Sequence, residues 1–277
     1  MTPKKLSTNF KSSFSIRSGG HSPNPTWSSI GSDGILVDLQ KLNSVTVSGN
    51  GSVASVGSGA RWGDVYSVLD SHGTSVIGAK DRTVGVGGSI LGGGYHHLPN
   101  QFGLAADNVK NFEVVLSNGS IVDANSEQNS DLFWALKGGG PNFGVVTRYD
   151  LYTVPVHYVW VHINVYSPND GSNVLAAFDE WQRRWTTSID WQSAQDDDLV
   201  RSVSVDTTEK WAQLAVERDI GIPFLYMNDA ARDQNPLASY GSESLAKLKA
   251  VAKKYDPRHV FQTLQNGGFL LSRAQKP

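Results

Sequence analysis

A glycine-rich stretch at residues 83–95 has the composition of a loop that wraps around a ligand. Six of its glycines fall within ten residues, between Gly85 and Gly94. Glycine lets backbone amides approach a ligand and adopt positive φ without a Cβ clash. The stretch lacks the Lys-Ser/Thr ending of a P-loop, which disfavours a nucleoside triphosphate, whereas a diphosphate held by backbone amides fits it. A glycine-rich turn between two strands, with no ligand, is the alternative.

A second candidate is the turn Arg17-Ser-Gly-Gly-His21, which follows a short predicted strand at residues 14–16. The prolines at positions 23 and 25 disfavour a helix after it. Arginine supplies a charge for phosphate, the glycines allow close approach, and the histidine offers a nucleophilic imidazole. A lone loop histidine is more often a surface residue. Their combination in one turn favours a binding role.

Charge and composition exclude several classes of function. The 277-residue chain has a formal net charge of −2 and no cysteine. The charge balance gives no indication of a nucleic-acid or anionic-membrane partner, so a small molecule is the expected ligand. The absence of cysteine excludes disulfides, thiolate metal sites and cysteinyl cofactor links, and we predict no metal site. No apolar run has the length of a membrane span, and the first residues do not resemble a signal peptide.

Hydrophobic periodicity predicts an α+β chain. In its first part, strands are predicted at residues 34–39, 45–47, 52–56 and 145–152, a hairpin at 112–123, and helices at 59–73 and 130–137. In its second part, strands are predicted at residues 158–166 and 223–228, and helices at 170–185 and 242–255.

Four segments, residues 17–21, 83–109, 133–146 and 255–261, resemble the FAD-linked oxidases of the vanillyl-alcohol oxidase and para-cresol methylhydroxylase family. The fungal berberine-bridge-enzyme-like group is the most similar. The resemblance implies an FAD-binding fold of the para-cresol methylhydroxylase type, built from two small α/β subdomains and followed by a shortened antiparallel-sheet substrate domain. It places the FAD-binding domain at residues 1–156, the substrate domain at 157–240 and a returning C-terminal segment at 241–277.

The resemblance also implies the site. In the family, the histidine at the position of His21 carries the flavin covalently, and amides such as those of residues 85–89 bind the pyrophosphate. The implied cofactor contacts are Arg17, Ser18, Gly19, Gly20, His21, Ser22, Thr83, Gly85, Gly87, Gly88, Ser89, Gly92, Gly93, Asn108, Gly144, Val145, Val146 and Asn228. The implied catalytic candidates are Tyr95, Tyr226, Asn228 and Asp229.

Three departures from the family pattern modify this expectation. Asp81 stands where some members carry a second, cysteinyl link, and Asp229 stands where many carry a tyrosine proposed as the base. The chain also begins after the family's first strands, and residues 157–223 are few for a complete substrate sheet.

The family activity would be oxidation of an alcohol, sugar or secondary metabolite, with FAD as hydride acceptor and dioxygen as reoxidant. The competing hypothesis is a non-catalytic remnant without FAD, such as an interaction module. An NAD-binding Rossmann helix starting near Gly85 is disfavoured, because it would have to run through Gly92, Gly93 and Gly94.

Overall fold

The structure, a computed structural model, describes residues 12–155 and 224–274 together with the single positions 202, 213 and 217. The chain divides into two compact units, Met1–Tyr158 with Pro223–Pro277, and Val159–Ile222. The described segments belong to the first unit. The predicted strand at 158–166 and helix at 170–185 lie outside the described residues.

A small parallel sheet carries the turn at residues 17–21, here called the His21 turn. It pairs β1 (Ser13–Arg17) with β2 (Gly34–Asp38), so that Phe14 faces Ile35 and Arg17 faces Asp38. The other edge of β1 is bonded by the C-terminal segment, since the Phe14 amide donates to the Leu264 carbonyl at 2.8 Å. Because β1 is held on both sides, the turn that follows it starts from a fixed position.

The larger sheet has β8 (Val145–Val154) near its centre. Its strand order is β3-β4-β8-β6-β7, with β5 also pairing β8, and all of these pairings are antiparallel. The other strands are β3 (Val45–Val47), β4 (Val53–Gly57), β5 (Ser75–Val76), β6 (Val109–Val115) and β7 (Ile121–Asn125). Val56, Phe112 and Tyr149 are fully buried on this sheet.

Short helices cover the sheet and connect its strands. They are α1 (Trp62–Asp70), α2 (Val86–Leu91), α3 (Pro99–Phe102), α4 (Ser130–Leu136), α5 (Pro236–Ser239), α6 (Ser242–Tyr255) and α7 (Val260–Thr263). Two 3₁₀ turns lie at Ala105–Asn108 and Met227–Asp229. The α+β class predicted from the sequence is confirmed. Among the described residues, no helix has both the length and the apolar character that a membrane crossing requires.

Two local predictions were wrong. The strand predicted at 223–228 is, from residue 224 onward, an irregular segment that leads into the 3₁₀ turn Met227–Asp229. The glycine-rich stretch, predicted as a loop, contains the helix α2. Glycine disfavours a helix by about 1 kcal/mol per residue, so tertiary packing must stabilise this one.

That packing is visible on the buried side of α2. Val86 and Ile90, one turn apart, are fully buried. Trp62 donates its indole N–H to Ser89 Oγ at 2.8 Å, and Tyr149 donates its hydroxyl to the Gly87 carbonyl at 3.0 Å. The helix ends at Gly92 and does not continue through Gly93 and Gly94. This agrees with the prediction that no long Rossmann-type helix runs through these glycines.

Candidate cofactor and substrate site

The His21 turn crosses the start of α2, and the backbones of the two segments are in contact. A Cβ on Gly19 would lie 2.4 Å from the Gly85 nitrogen, and one on Gly85 would lie 2.2 Å from the Gly19 nitrogen. Ser18 Oγ donates to the Ser58 carbonyl at 2.6 Å and accepts the Gly87 amide at 3.2 Å. The absence of side chains at Gly19 and Gly85 therefore allows the turn that carries His21 to lie beside α2.

The amides at the start of α2 divide into two groups. The Val86 amide donates to the Ala60 carbonyl at 3.0 Å and the Gly87 amide to the Ser58 carbonyl at 3.2 Å, so both are engaged by the protein. Gly88 is exposed, and a Cβ built on it would meet no atom within 4 Å. Within the predicted amide-binding segment at 85–89, the Gly88 backbone is thus accessible to a ligand, whereas the Gly87 amide is already hydrogen-bonded within the protein. An open backbone face beside a glycine turn fits an elongated diphosphate cofactor such as FAD.

His21 takes part in a hydrogen-bond chain to Asp81. The exposed imidazole lies with Nε2 3.0 Å from Thr83 Oγ1, and Thr83 donates both its hydroxyl and its amide to Asp81 Oδ1 at 2.7 Å. The hydrogen bond from the Thr83 side chain, chiefly, lowers the pKa of Asp81. Thr83 has one hydroxyl proton and directs it at this carboxylate, so it can only accept from His21. The proton of the neutral ring is therefore on Nε2, and Nδ1 carries the lone pair.

Arg17 is less available to a phosphate than the sequence suggested. Its guanidinium pairs with Asp38 Oδ2 across the β1–β2 ladder at 2.5 Å, and this hydrogen bond is the main cause of the lowered pKa of Asp38. In the turn itself, Gly20 has a φ of +72°, a conformation that favours glycine, and Ser22 is exposed.

Asn108 and the Gly144 segment have structural partners of their own. Asn108 donates its side-chain amide to the Phe102 and Leu104 carbonyls, both at 2.8 Å. A Cβ on Gly144 would lie 2.6 Å from Val114 Cγ1, and Val146 is buried in the core. Val145 and Val146 pair with β6 through the ladder. Whether these residues contact the cofactor stays a prediction.

The predicted catalytic residues Tyr226 and Asn228 meet the end of α2. A Cβ on Gly92 would lie 1.9 Å from Asn228 Oδ1, and one on Gly93, whose φ is +113°, would lie 3.2 Å from the Tyr226 ring. Asn228 donates its amide to the Ser89 carbonyl and to the Tyr226 hydroxyl, both at 2.9 Å. Gly92 and Gly93 therefore make room for Tyr226 and Asn228, which sequence reasoning had not anticipated.

Lys80, Tyr95, Tyr226, Asn228 and Asp229 form one group, here called the Lys80 corner. Lys80 Nζ lies 4.1 Å from the centroid of the Tyr95 ring, and the Tyr95 amide donates to the Tyr226 hydroxyl at 2.7 Å. Asp229 is exposed, but neighbouring protein atoms partly desolvate its carboxyl, which raises its pKa above the usual range, and Lys80 opposes this. Partial desolvation lowers the pKa of Lys80, whose side chain is still exposed, and burial raises the pKa of Tyr226. No sequence motif indicated a role for Lys80. Its one distinguishing feature in the sequence is that it directly precedes Asp81, a position singled out by the family resemblance.

Both ring nitrogens of His96, the buried histidine next to this corner, are hydrogen-bonded within the protein. Its Nε2 lies 2.7 Å from the Gly103 carbonyl, and its Nδ1 accepts the Leu98 amide at 3.0 Å. With Nδ1 accepting, Nε2 must be the nitrogen that donates to Gly103. Burial lowers the pKa of the ring, which favours this neutral state. His96 thus holds the loop after Tyr95 and has no nitrogen left for a substrate.

Comparison with known proteins identifies an FAD binding domain in this chain. Residues 5–125 match the family model described as an FAD binding domain. An FAD-dependent monooxygenase of Arthrobotrys oligospora is 28% identical over 397 residues, which covers 94% of this chain and 78% of the relative. The FAD-dependent monooxygenase macF of Penicillium terrestre is 46% identical over 167 residues, covering 60% of this chain and 32% of the relative.

Two solved structures support the same fold. The 6-hydroxy-D-nicotine oxidase of Arthrobacter nicotinovorans superposes with a TM-score of 0.52 at 32% identity, over 55% of this chain and 33% of that one. A variant of berberine bridge enzyme, solved with (S)-reticuline, gives a TM-score of 0.50 at 33% identity, over 56% of this chain and 31% of that one. The chain spans about a third of the length of most of these relatives.

Proposed function

We propose that this chain is an FAD-linked oxidoreductase of the vanillyl-alcohol oxidase family, which its match to an FAD binding domain and its fold support. It oxidises the CH–OH group, or a related donor group, of a small alcohol, sugar or secondary metabolite, and dioxygen is reduced to hydrogen peroxide. When bound, FAD supplies the hydride acceptor. The observation that carries the proposal is the contact of the His21 turn with α2 beside the open face at Gly88.

His21 is the proposed attachment point of the flavin, through Nδ1. The Asp81–Thr83–His21 chain supports this, because it leaves the Nδ1 lone pair of the exposed ring available. With FAD bound, Nδ1 would supply the nucleophile for this link, and dioxygen would take up the two hydrogens lost, one from the imidazole and one from the flavin, as hydrogen peroxide. No cysteinyl link can form, since the chain has no cysteine.

Asp229 is the proposed base. An ionised carboxylate accepts the hydroxyl proton while the neighbouring carbon loses its hydride. Partial desolvation raises its pKa, which brings the carboxyl group closer to the range where a base is effective near neutrality. Only the ionised form can accept the proton, so flavin reduction should rise with pH through a pKa above the ordinary value.

The test is reduction of protein-bound flavin by alcohols, sugars and hydroxy acids without oxygen, followed by its absorbance. Asp229→Asn should slow reduction by about 100-fold or more, a typical contribution of a general base, while flavin content stays equal. Asp64→Asn, which changes an exposed carboxylate in the first turn of α1, is the control. Equal reduction rates in Asp229→Asn would reject Asp229 as the base, and a chain that binds no flavin would favour the non-catalytic alternative.

A second candidate reaction comes from the names of the curated relatives, which are FAD-dependent monooxygenases. A monooxygenase places one oxygen atom of dioxygen in the product, whereas an oxidase sends both to hydrogen peroxide. Turnover under ¹⁸O₂ separates the two reactions. We expect the label in peroxide only, and label in the organic product would favour the monooxygenase.

A further inference from the structure

Two hydrogen-bond donors of the Lys80 corner have no acceptor among the residues that the structure describes. The Tyr226 hydroxyl accepts the Tyr95 amide at 2.7 Å and the Asn228 side-chain amide at 2.9 Å. The Gly94 amide also acts as a donor to this oxygen, so its acceptor positions are filled and its own proton remains to be donated. Donation is strengthened when the same oxygen accepts other hydrogen bonds.

The second donor is the Lys80 ammonium. It lies over the Tyr95 ring, 4.1 Å from the centroid, and within the described part of the chain it forms no ion pair. The Tyr95 and Tyr226 rings are 6.4 Å apart at 64°, so the ammonium and the phenol border the same pair of rings. Cation–π contact holds an ammonium in place without neutralising it, which leaves its charge to attract an anion.

Asp229 supplies the complementary acceptor. It follows Asn228 in the 3₁₀ turn, lies within electrostatic range of Lys80, and also forms no ion pair with a described residue. The Lys80 corner thus offers a positively charged donor at Lys80, a neutral donor at the Tyr226 hydroxyl and a carboxylate at Asp229. A molecule with an anionic oxygen close to a hydroxyl or amine matches all three groups.

We infer that Lys80 determines substrate specificity and, with the Tyr226 hydroxyl, binds an anionic oxygen of a hydroxy-acid or amino-acid type substrate. The position of the oxidised carbon rests on the proposed function. The anion-binding site itself follows from the contacts described above. The anionic oxygen takes hydrogen bonds from Lys80 and Tyr226, and the hydroxyl or amine of the same substrate faces Asp229.

Binding of benzoate and of its neutral analogue benzamide tests the inference, measured by calorimetry with flavin-loaded and flavin-free protein. Charge-assisted hydrogen bonds are about twice as strong as neutral ones, so Lys80→Met should weaken benzoate binding about tenfold or more. Lys80→Arg, which keeps the charge, should retain most of it. Benzamide binding should be weak and equal in the three proteins. Thermal melting should show equal folding, because Lys80 is exposed.

The inference is overturned if Lys80→Met binds benzoate as the unchanged chain does, if the unchanged chain does not prefer benzoate to benzamide, or if it shows no saturable benzoate binding. Flavin content, read from the same samples, separates this from the proposed function. Lys80-dependent benzoate binding by a chain that never loads flavin would contradict the proposed function alone. Flavin that substrates reduce, with benzoate binding insensitive to Lys80, would contradict the inference alone.

Discussion

The imidazole of His21 is oriented by a side chain from the segment that precedes α2. Thr83 joins it to Asp81, whose carboxylate accepts two hydrogen bonds from this one residue. A cysteine at position 81, as in family members with a second flavin link, would be a weak acceptor and could not hold the Thr83 proton as firmly. In this chain the Asp81 side chain therefore controls which nitrogen of His21 is available.

Thr83→Val should slow attachment of the flavin to His21. Valine has the shape of threonine but lacks the hydroxyl, so the ring loses the acceptor that holds its Nε2 proton. One hydrogen bond contributes about 1 kcal/mol, so the attachment rate should fall about five- to tenfold. Reconstitution of the flavin-free protein with FAD, quenched with acid at intervals, measures bound and released flavin separately. Thr83→Ser, which keeps the hydroxyl, should attach at the original rate, and a Thr83→Val rate equal to it would remove Thr83 from the account.

At the scale of the element, α2 combines a packed face with an open one. Gly87 lies on the packed side, where an added Cβ would approach the Ser58 carbonyl to 3.0 Å and Ser18 Cβ to 3.1 Å. Gly88, the next residue, faces open space. Close packing therefore requires glycine at position 87, whereas at position 88 only the proposed FAD site would require it.

Gly88→Val should leave the fold intact and abolish flavin binding. A Cβ there meets no atom within 4 Å, and valine favours a helix over glycine by a few tenths of a kcal/mol, so thermal stability should be unchanged or slightly higher. Gly87→Val should instead destabilise the protein by about 1–3 kcal/mol through overpacking. Gly49→Val, another site with no atom within 4 Å of the added Cβ, is the control. Full flavin content in Gly88→Val would place the cofactor elsewhere.

Hydrophobic period and turn chemistry were enough to predict most elements near the site. The hairpin of β6 and β7, the helix α6 and the strand β8 follow their patterns closely. The helix α2 was missed because local propensity opposes it, and its stability comes from Trp62 and Tyr149, which are distant in the sequence. Lys80 was missed for a related reason, since its position over Tyr95 depends on tertiary packing alone.

At the scale of the molecule, the C-terminal segment completes the unit that holds the site. Asn142 is fully buried and bonds four groups, the Gly139 and Phe269 carbonyls, the Leu271 amide and the Gln262 side chain. It thereby ties the glycine-rich loop at residues 138–144 to residues more than a hundred positions later. Asp256 accepts the Val260 and Phe261 amides at 2.9 and 2.8 Å and so caps α7. The tail motif at 255–261 therefore has a structural role of its own.

The central claim is that this chain holds FAD at the His21 turn through a histidyl bond. Mass spectrometry of the purified protein, intact and after trypsin, tests it directly. Residues 18–41 form one tryptic peptide that contains His21 and no other histidine. We expect the mass of one FAD less two hydrogens on that peptide, lost in His21→Ala. Flavin wholly released by acid, flavin on any other peptide, or no flavin in a folded chain supplied with FAD would contradict the account.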